Sequence, residues 1–230
     1  MSFVPFVVDI RASRLPDKRR AVNLSRASGP GRHRLLAVLL VLFCFLDLRP
    51  SHAVAAQYSE GKGLILSPAP EWNNRDWINS KPLRLSQFKG RVVLLRFFME
   101  SSCPFCSATA PSLNHFYSKY KDKGLVVVGM YTPKPRPAPR PVSQVREYVR
   151  DFKFEFPVAL DNDWATLRAF WLDRISDAAF TSASFLIDKK GIIRFIHPGG
   201  EYSETGRDKT SRRGFADIER MIERLIAERE

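Results

Sequence analysis

The sequence predicts an α/β fold: a central, mostly parallel sheet with one antiparallel hairpin and helices on both faces. Three observations carry that reading. The runs VVLLRFF (Val92 to Phe98) and GLVVVGMY (Gly124 to Tyr131) are apolar almost throughout, as expected of strands covered on both sides. A helix-periodic segment separates them, and strand, helix, strand in that order implies a parallel βαβ unit. Further on, SFLIDKKGIIRFI turns back on itself at Asp-Lys-Lys-Gly, the signature of a hairpin.

Each element follows from its own pattern. LRLSQFKG reads as a loop and a Lys-Gly turn feeding the first apolar strand. After it, Leu113, Phe116, Tyr117 and Tyr120 recur at i, i+3, i+4 and i+7, which is one face of a helix. PKPRPAPRP, residues 133–141, holds five prolines in nine positions and reads as a stiff, basic surface loop. Val142 to Phe152 restarts a helix, Phe156 to Asp161 forms a short strand, and DWATLRAFWL a further helix. The hairpin strands are Ser184 to Ile187 and Ile192 to Ile196, and Phe215, Ile218, Ile222, Leu225 and Ile226 describe a closing amphipathic helix.

The 230 residues suit one medium domain plus an extension, with 44% hydrophobic and 27% charged residues. A net charge of +13 suggests nucleic acid until it is located. Residues 1–55 carry nine Lys/Arg against three Asp/Glu, which leaves +7 over the remaining 175. No aromatic-studded basic helix or nucleic-acid motif accompanies that excess, so nucleic acid is not an expected partner. Arg26, Arg32 and Arg34 lead into LLAVLLVLFCFL, Leu35 to Leu46, whose 12 apolar residues suit a signal-peptide core better than a membrane span. Ala53-Val54-Ala55 then fits the small-x-small cleavage pattern. The expected organisation is a leader over 1–55, cleaved or kept as a membrane tether, and one domain over 56–230. The expected location is outside the cytosol, in a bacterial periplasm or on the outer face of the cytoplasmic membrane.

Cleavage at that point leaves two cysteines, Cys103 and Cys106, in ESSCPFCSATAP. A disulfide closing so small a loop removes little entropy from the unfolded chain and makes a poor staple. Zinc needs four ligands, and only His115 and His197 remain, in no ligand-spaced pair. Copper(I) needs fewer, so a Cys103, Cys106 and His197 site stays open beside the reading of His197 as a turn residue. Redox exchange fits the pair best. Cys103 follows a buried strand, and Pro104 occupies the favoured first helical position. The sulfur of Cys103 then lies at a helix N-terminus, where N–H groups and the dipole stabilise a thiolate. Cys106, one turn on, is the resolving thiol.

From about Ala69 to the C-terminus the chain resembles the exported thiol–disulfide oxidoreductases of the TlpA/ResA type, within the AhpC/TSA-like superfamily. The matching pieces are APEW, LSQFKGRVVLLRFF, CPFC, Pro111 five residues after Cys106, and FLIDKKGIIRFIHPGG. The resemblance implies a thioredoxin-like three-layer fold, a kink at Pro111, the FLID hairpin beside the cysteines, and no cofactor. It also implies disulfide-bearing or dithiol protein partners, among them apocytochromes c during cytochrome c maturation or copper-site proteins, a membrane electron donor, and reductase work.

Departures from that pattern mark further positions. The family's cis-proline, three residues before the FLID phenylalanine, is Ser182 here, so Thr181 and Ser182 are the expected substrate-facing loop through a trans peptide. The tryptophan before the first cysteine is Ser102, and the buried acid six residues before it is Phe97. Glu100 is then the nearest carboxylate for proton transfer, or a solvated loop acid. Arg96, inside an apolar strand, pairs with an acid, snorkels out, or adds positive potential near the thiolate. Two other functions stay open beside disulfide exchange: a peroxiredoxin-like thiol peroxidase, disfavoured by Glu100 three residues before Cys103, and a non-enzymatic copper chaperone.

Overall fold

The computed structural model describes residues 61–135, 138–176 and 178–229. The leader, its cleavage motif and Cys44 lie outside the described residues. Among those described, no helix is long and apolar enough to cross a membrane.

Six strands form one mixed sheet: β1 Trp77–Ile78, β2 Val92–Phe98, β3 Leu125–Tyr131, β4 Val158–Leu160, β5 Ser184–Ile187 and β6 Ile193–His197, in the order β1-β4-β3-β2-β5-β6. β2 runs parallel to β3, and β3 parallel to β4. β5 pairs antiparallel with β6, as the hairpin predicts, but it also pairs antiparallel with β2, and β1 with β4, so the sheet is mixed rather than mostly parallel. Its turn is fixed by Asp188 Oδ1, which accepts from the N–H groups of Lys190 and Ile192, both at 2.9 Å.

Alternation along β2 divides the core. Val92, Leu94 and Phe98 face a cluster with Cys106, Ala110, Leu113 and Phe116 of helix α1 (Pro104–Tyr120). Val145 and Val149 of α2 (Val142–Asp151) and Phe215, Ile218 and Ile222 of α4 (Lys209–Ala227) close that layer. Val93, Leu95 and Phe97 face the other side, with Trp72, Leu85, Phe170 and Trp171. That second layer is mostly loop and short turns: a 3-10 turn over Leu85–Phe88, and α3 (Ala165–Leu167) running into a π-helical turn over Arg168–Leu172. The expected helix over DWATLRAFWL is present from Ala165 to Leu172, with its second half wound as a π-helical turn. Buried Asp161 holds it, accepting from the N–H groups of Thr166 and Leu167 at 2.9 and 2.8 Å.

Two boundaries differ from the sequence reading. α4 begins six residues before its first periodic apolar residue, because Asp208 caps a polar first turn by accepting from Ser211 N at 2.7 Å. β1 gives no periodicity signal because it is only two residues long, its register set by Trp77 opposite Ala159 and Ile78 opposite Val158.

Gly129 sits in buried β3, where an added Cβ would meet Phe98 Cε1 at 3.0 Å and Val158 Cγ2 at 3.1 Å. Both neighbours are buried, so they have little room to give. Gly129→Ala is expected to lower unfolding free energy by about 1–3 kcal/mol, read as a lower urea midpoint at unchanged slope.

Candidate active site

The two cysteines stand where β2 hands the chain to α1. Cys103 is the helix N-cap, with φ −73° and ψ 113°, and Pro104 is the first helical residue. The turn before it is pinned twice: Cys103 N donates to the Glu100 carbonyl at 3.1 Å, and Ser107 Oγ to the Ser101 carbonyl at 2.7 Å. Cys106 N points back at Cys103 Sγ at 3.4 Å, and the two sulfurs lie 2.7 Å apart as free thiols. Cys103 is part-exposed, whereas Cys106 is 3% exposed and packed among Phe98, Ala110 and Tyr202. Burial and the hydrogen bond to Cys103 push the Cys106 thiol up to about 12, against the Met99 N–H and the charge of Arg96, which pull it down.

The loop expected to face the sulfurs is anchored beside them. Phe180 packs edge-to-face on Phe105 of the CPFC motif, ring centroids 6.1 Å apart, and both rings remain exposed, at 42% and 46%. Phe180 is held from behind by buried Trp171, whose Nε1 donates to its carbonyl at 2.8 Å. From the β6 side, Gly199 lies so close that a Cβ there would clash with Phe180 Cβ. Thr181 and Ser182 follow directly, with Ser182 nearly buried, and the Thr181–Ser182 peptide is trans. A groove with about 720 Å³ of free volume runs from Phe105 and Phe180 along Ile196 to Gly200 and the first turns of α4. Phe180 was not singled out from the sequence; an exposed phenylalanine ahead of the family's proline position was its one available signal.

The other expected residues separate. The Glu100 carbonyl accepts from Cys103 N, but no hydrogen bond joins its carboxylate to either sulfur among the described residues. The Glu100 charge is felt instead at the Tyr131 hydroxyl, whose ionisation is opposed chiefly by burial. Arg96 does not snorkel and has no acid partner among the described residues. It is 1% exposed, donating from Nη1 to Ser184 Oγ at 3.2 Å and from Nη2 to the Gly200 carbonyl at 2.8 Å.

His197 overturns the copper reading. It ends β6 with its ring 5.0 Å from that of Tyr202, its Nε2 against Gly214 and its Nδ1 buried without a partner. Burial, then the charge of Arg96, pushes its pKa down to about 3. Among the described residues no three His, Cys, Asp or Glu side chains come together as a metal site, so Cys103, Cys106 and His197 do not form one. His115 lies elsewhere, its Nε2 3.0 Å from Glu219 Oε1 between α1 and α4.

The Redoxin family pattern matches residues 67–211. The chain belongs to the Redoxin family. DipZ of Mycobacterium bovis is 34% identical over 133 residues, covering 56% of this chain and 18% of DipZ. The chain thus spans under a fifth of that relative. The thiol-disulfide oxidoreductase ResA of Bacillus subtilis is 30% identical over 159 residues, covering 68% of this chain and 78% of ResA. A solved thioredoxin-like superfamily protein superposes with a TM-score of 0.56 over 70% of this chain and 97% of its own, at 24% identity. That likeness supports the thioredoxin-like three-layer fold of this Redoxin chain.

Gly199 has φ 142°, where a side chain is strained, as well as the close approach to Phe180. Gly199→Ala is expected to displace the Phe180–Ser182 loop. Thiol–disulfide exchange with a folded protein substrate should then slow several-fold more than exchange with glutathione, measured side by side under steady-state conditions.

Proposed function

We propose that this protein is an exported thiol–disulfide oxidoreductase that exchanges disulfides with partner proteins through Cys103 and Cys106, working as a reductase. One observation carries the reading: a part-exposed sulfur caps a helix N-terminus while a second, buried sulfur lies within reach of it. The first can attack an incoming disulfide, and the second can reach only the first. Cys103 thiolate attacks one sulfur of the partner disulfide, forming a mixed disulfide and releasing the partner's other sulfur as a thiolate. Cys106 then attacks Cys103, the partner leaves with both thiols, and the domain keeps the disulfide. Two electrons pass to the partner, and a membrane electron donor must return two to reset the pair.

In this reading residues 1–55 are the leader and 56–230 the working domain, placed in the periplasm or on the outer face of the cytoplasmic membrane. Thr181 and Ser182 face the partner backbone, and Glu100 exchanges protons with solvent at the mouth of the site. Apocytochromes c and copper-site proteins carry paired cysteines that suit such a reductase. The name of ResA supports disulfide chemistry over peroxide reduction.

Cys106→Ser is expected to accumulate a mixed disulfide with partner proteins, visible as thiol-sensitive bands in cells, and Cys103→Ser to abolish them. Absence of any adduct, or peroxide consumption faster than disulfide reduction, would count against the proposal. A reductase should also have a Cys103/Cys106 potential nearer thioredoxin's, about −270 mV, than DsbA's, about −120 mV.

A further inference from the structure

Arg96 sits in the middle of β2 on the side of α1 and α4, 1% exposed. Burying a guanidinium is unfavourable unless an acid or a full set of acceptors compensates it. Its acceptors here are neutral, Ser184 Oγ and the Gly200 carbonyl, and Nε has no partner. The guanidinium carbon lies 5.2 Å from the ring centroid of Tyr202. Tyr202 is itself clamped. Its hydroxyl shares a hydrogen bond with Ser184 Oγ at 3.1 Å, its carbonyl accepts from Ser112 Oγ at 3.0 Å, and its N–H donates to Thr109 Oγ1 at 3.4 Å. Thr109 and Ser112 belong to α1, following Cys106 by three and six residues. The cluster ties an uncompensated positive charge to the helix that carries the resolving sulfur.

We infer that Arg96 is a positioning residue for the second half of the exchange: its charge, held by Ser184, Gly200 and Tyr202, stabilises the Cys106 thiolate as it forms, without a buried carboxylate to take the proton. The inference rests on the dithiol exchange proposed above. Arg96 lies between Leu94 and Phe98 on the face of β2 that packs in the same buried layer as Cys106; burial and Cys103 oppose the Cys106 thiolate, and the Met99 N–H and the Arg96 charge favour it. Burial opposes ionisation of Cys106, so the thiolate is its minor form at neutral pH and the rate of resolution follows whatever stabilises it. His197, on β6, is held neutral partly by Arg96 and contributes no second charge. In the step itself, Cys106 loses its proton to water and its sulfur attacks Cys103. The Cys103–partner bond breaks, and the electron pair leaves on the partner sulfur, which takes up a proton. The partner cysteine is reduced and Cys106 oxidised.

The test uses the reduced full chain and one equivalent of 5,5′-dithiobis(2-nitrobenzoic acid) in stopped flow. The first release of nitrothiobenzoate reports Cys103 attack and the second reports resolution by Cys106. Arg96→Met should leave the first phase within about twofold and slow the second at least about threefold. Each unit of added pKa lowers the rate about threefold, because the scarcer thiolate is also a stronger nucleophile. Arg96→Lys should recover most of the second rate. Between pH 6 and 9 the second phase should rise with pH in both proteins, along parallel lines with the methionine variant lower. If Arg96→Met does not fold, Arg96→Gln carries the same comparison, keeping a donor while losing the charge. Equal second phases, equal slowing of both phases, or a lysine variant no better than methionine would overturn the inference alone. A wild-type chain with no second phase would overturn the exchange mechanism together with it.

Discussion

The junction between β2 and α1 sets what the rest of the molecule must support. β2 is sealed on both faces, so its end at Phe98 is a fixed point in the core, and the chain has only the Met99–Ser102 turn before Cys103 caps the helix. From that geometry one sulfur faces solvent at a helix N-terminus while the other is turned into the apolar layer below. The exposure of Cys103 and the enclosure of Cys106 arise from the same first turn of the helix. The hairpin β5–β6, with Phe180 and Gly199 at its open end, then brings the Phe180–Ser182 loop beside Phe105 of the motif.

The layers explain why this arrangement tolerates a buried charge. Strand alternation puts Arg96 on the side of α1, where Tyr202, Ser184 and the Gly200 carbonyl supply a ring face and two acceptors. Polar groups enclosed in this way interact strongly because water does not screen them. Burial, aided by the same charge, holds His197 neutral.

The fold was largely legible from sequence because its informative elements are long or fully buried: β2, α1 and the FLID hairpin match the expected spans closely, as does β3. Legibility failed where non-local pairing or a single cap decides the structure. β1 exists only because β4 is there to pair with, and the first turn of α3 is held by the buried Asp161 carboxylate. The cysteine pair and its position at a helix start were readable from motif spacing, whereas the loop at Thr181 and Ser182 was marked only by the family resemblance. Tyr202 and Phe180 were not, because each lies in a segment without periodicity and gains its role from partners distant in sequence. Arg96 stood out as an anomaly in an apolar run, but its lack of an acid partner required three dimensions to see.

The central claim is that the two thiols are unequal because one is open and the other enclosed. It is tested most directly by brief alkylation of the reduced protein with substoichiometric iodoacetamide at neutral pH, followed by peptide mass spectrometry. The account predicts label on Cys103 and essentially none on Cys106 until the protein is unfolded. Comparable or preferential labelling of Cys106 in the folded protein would contradict it.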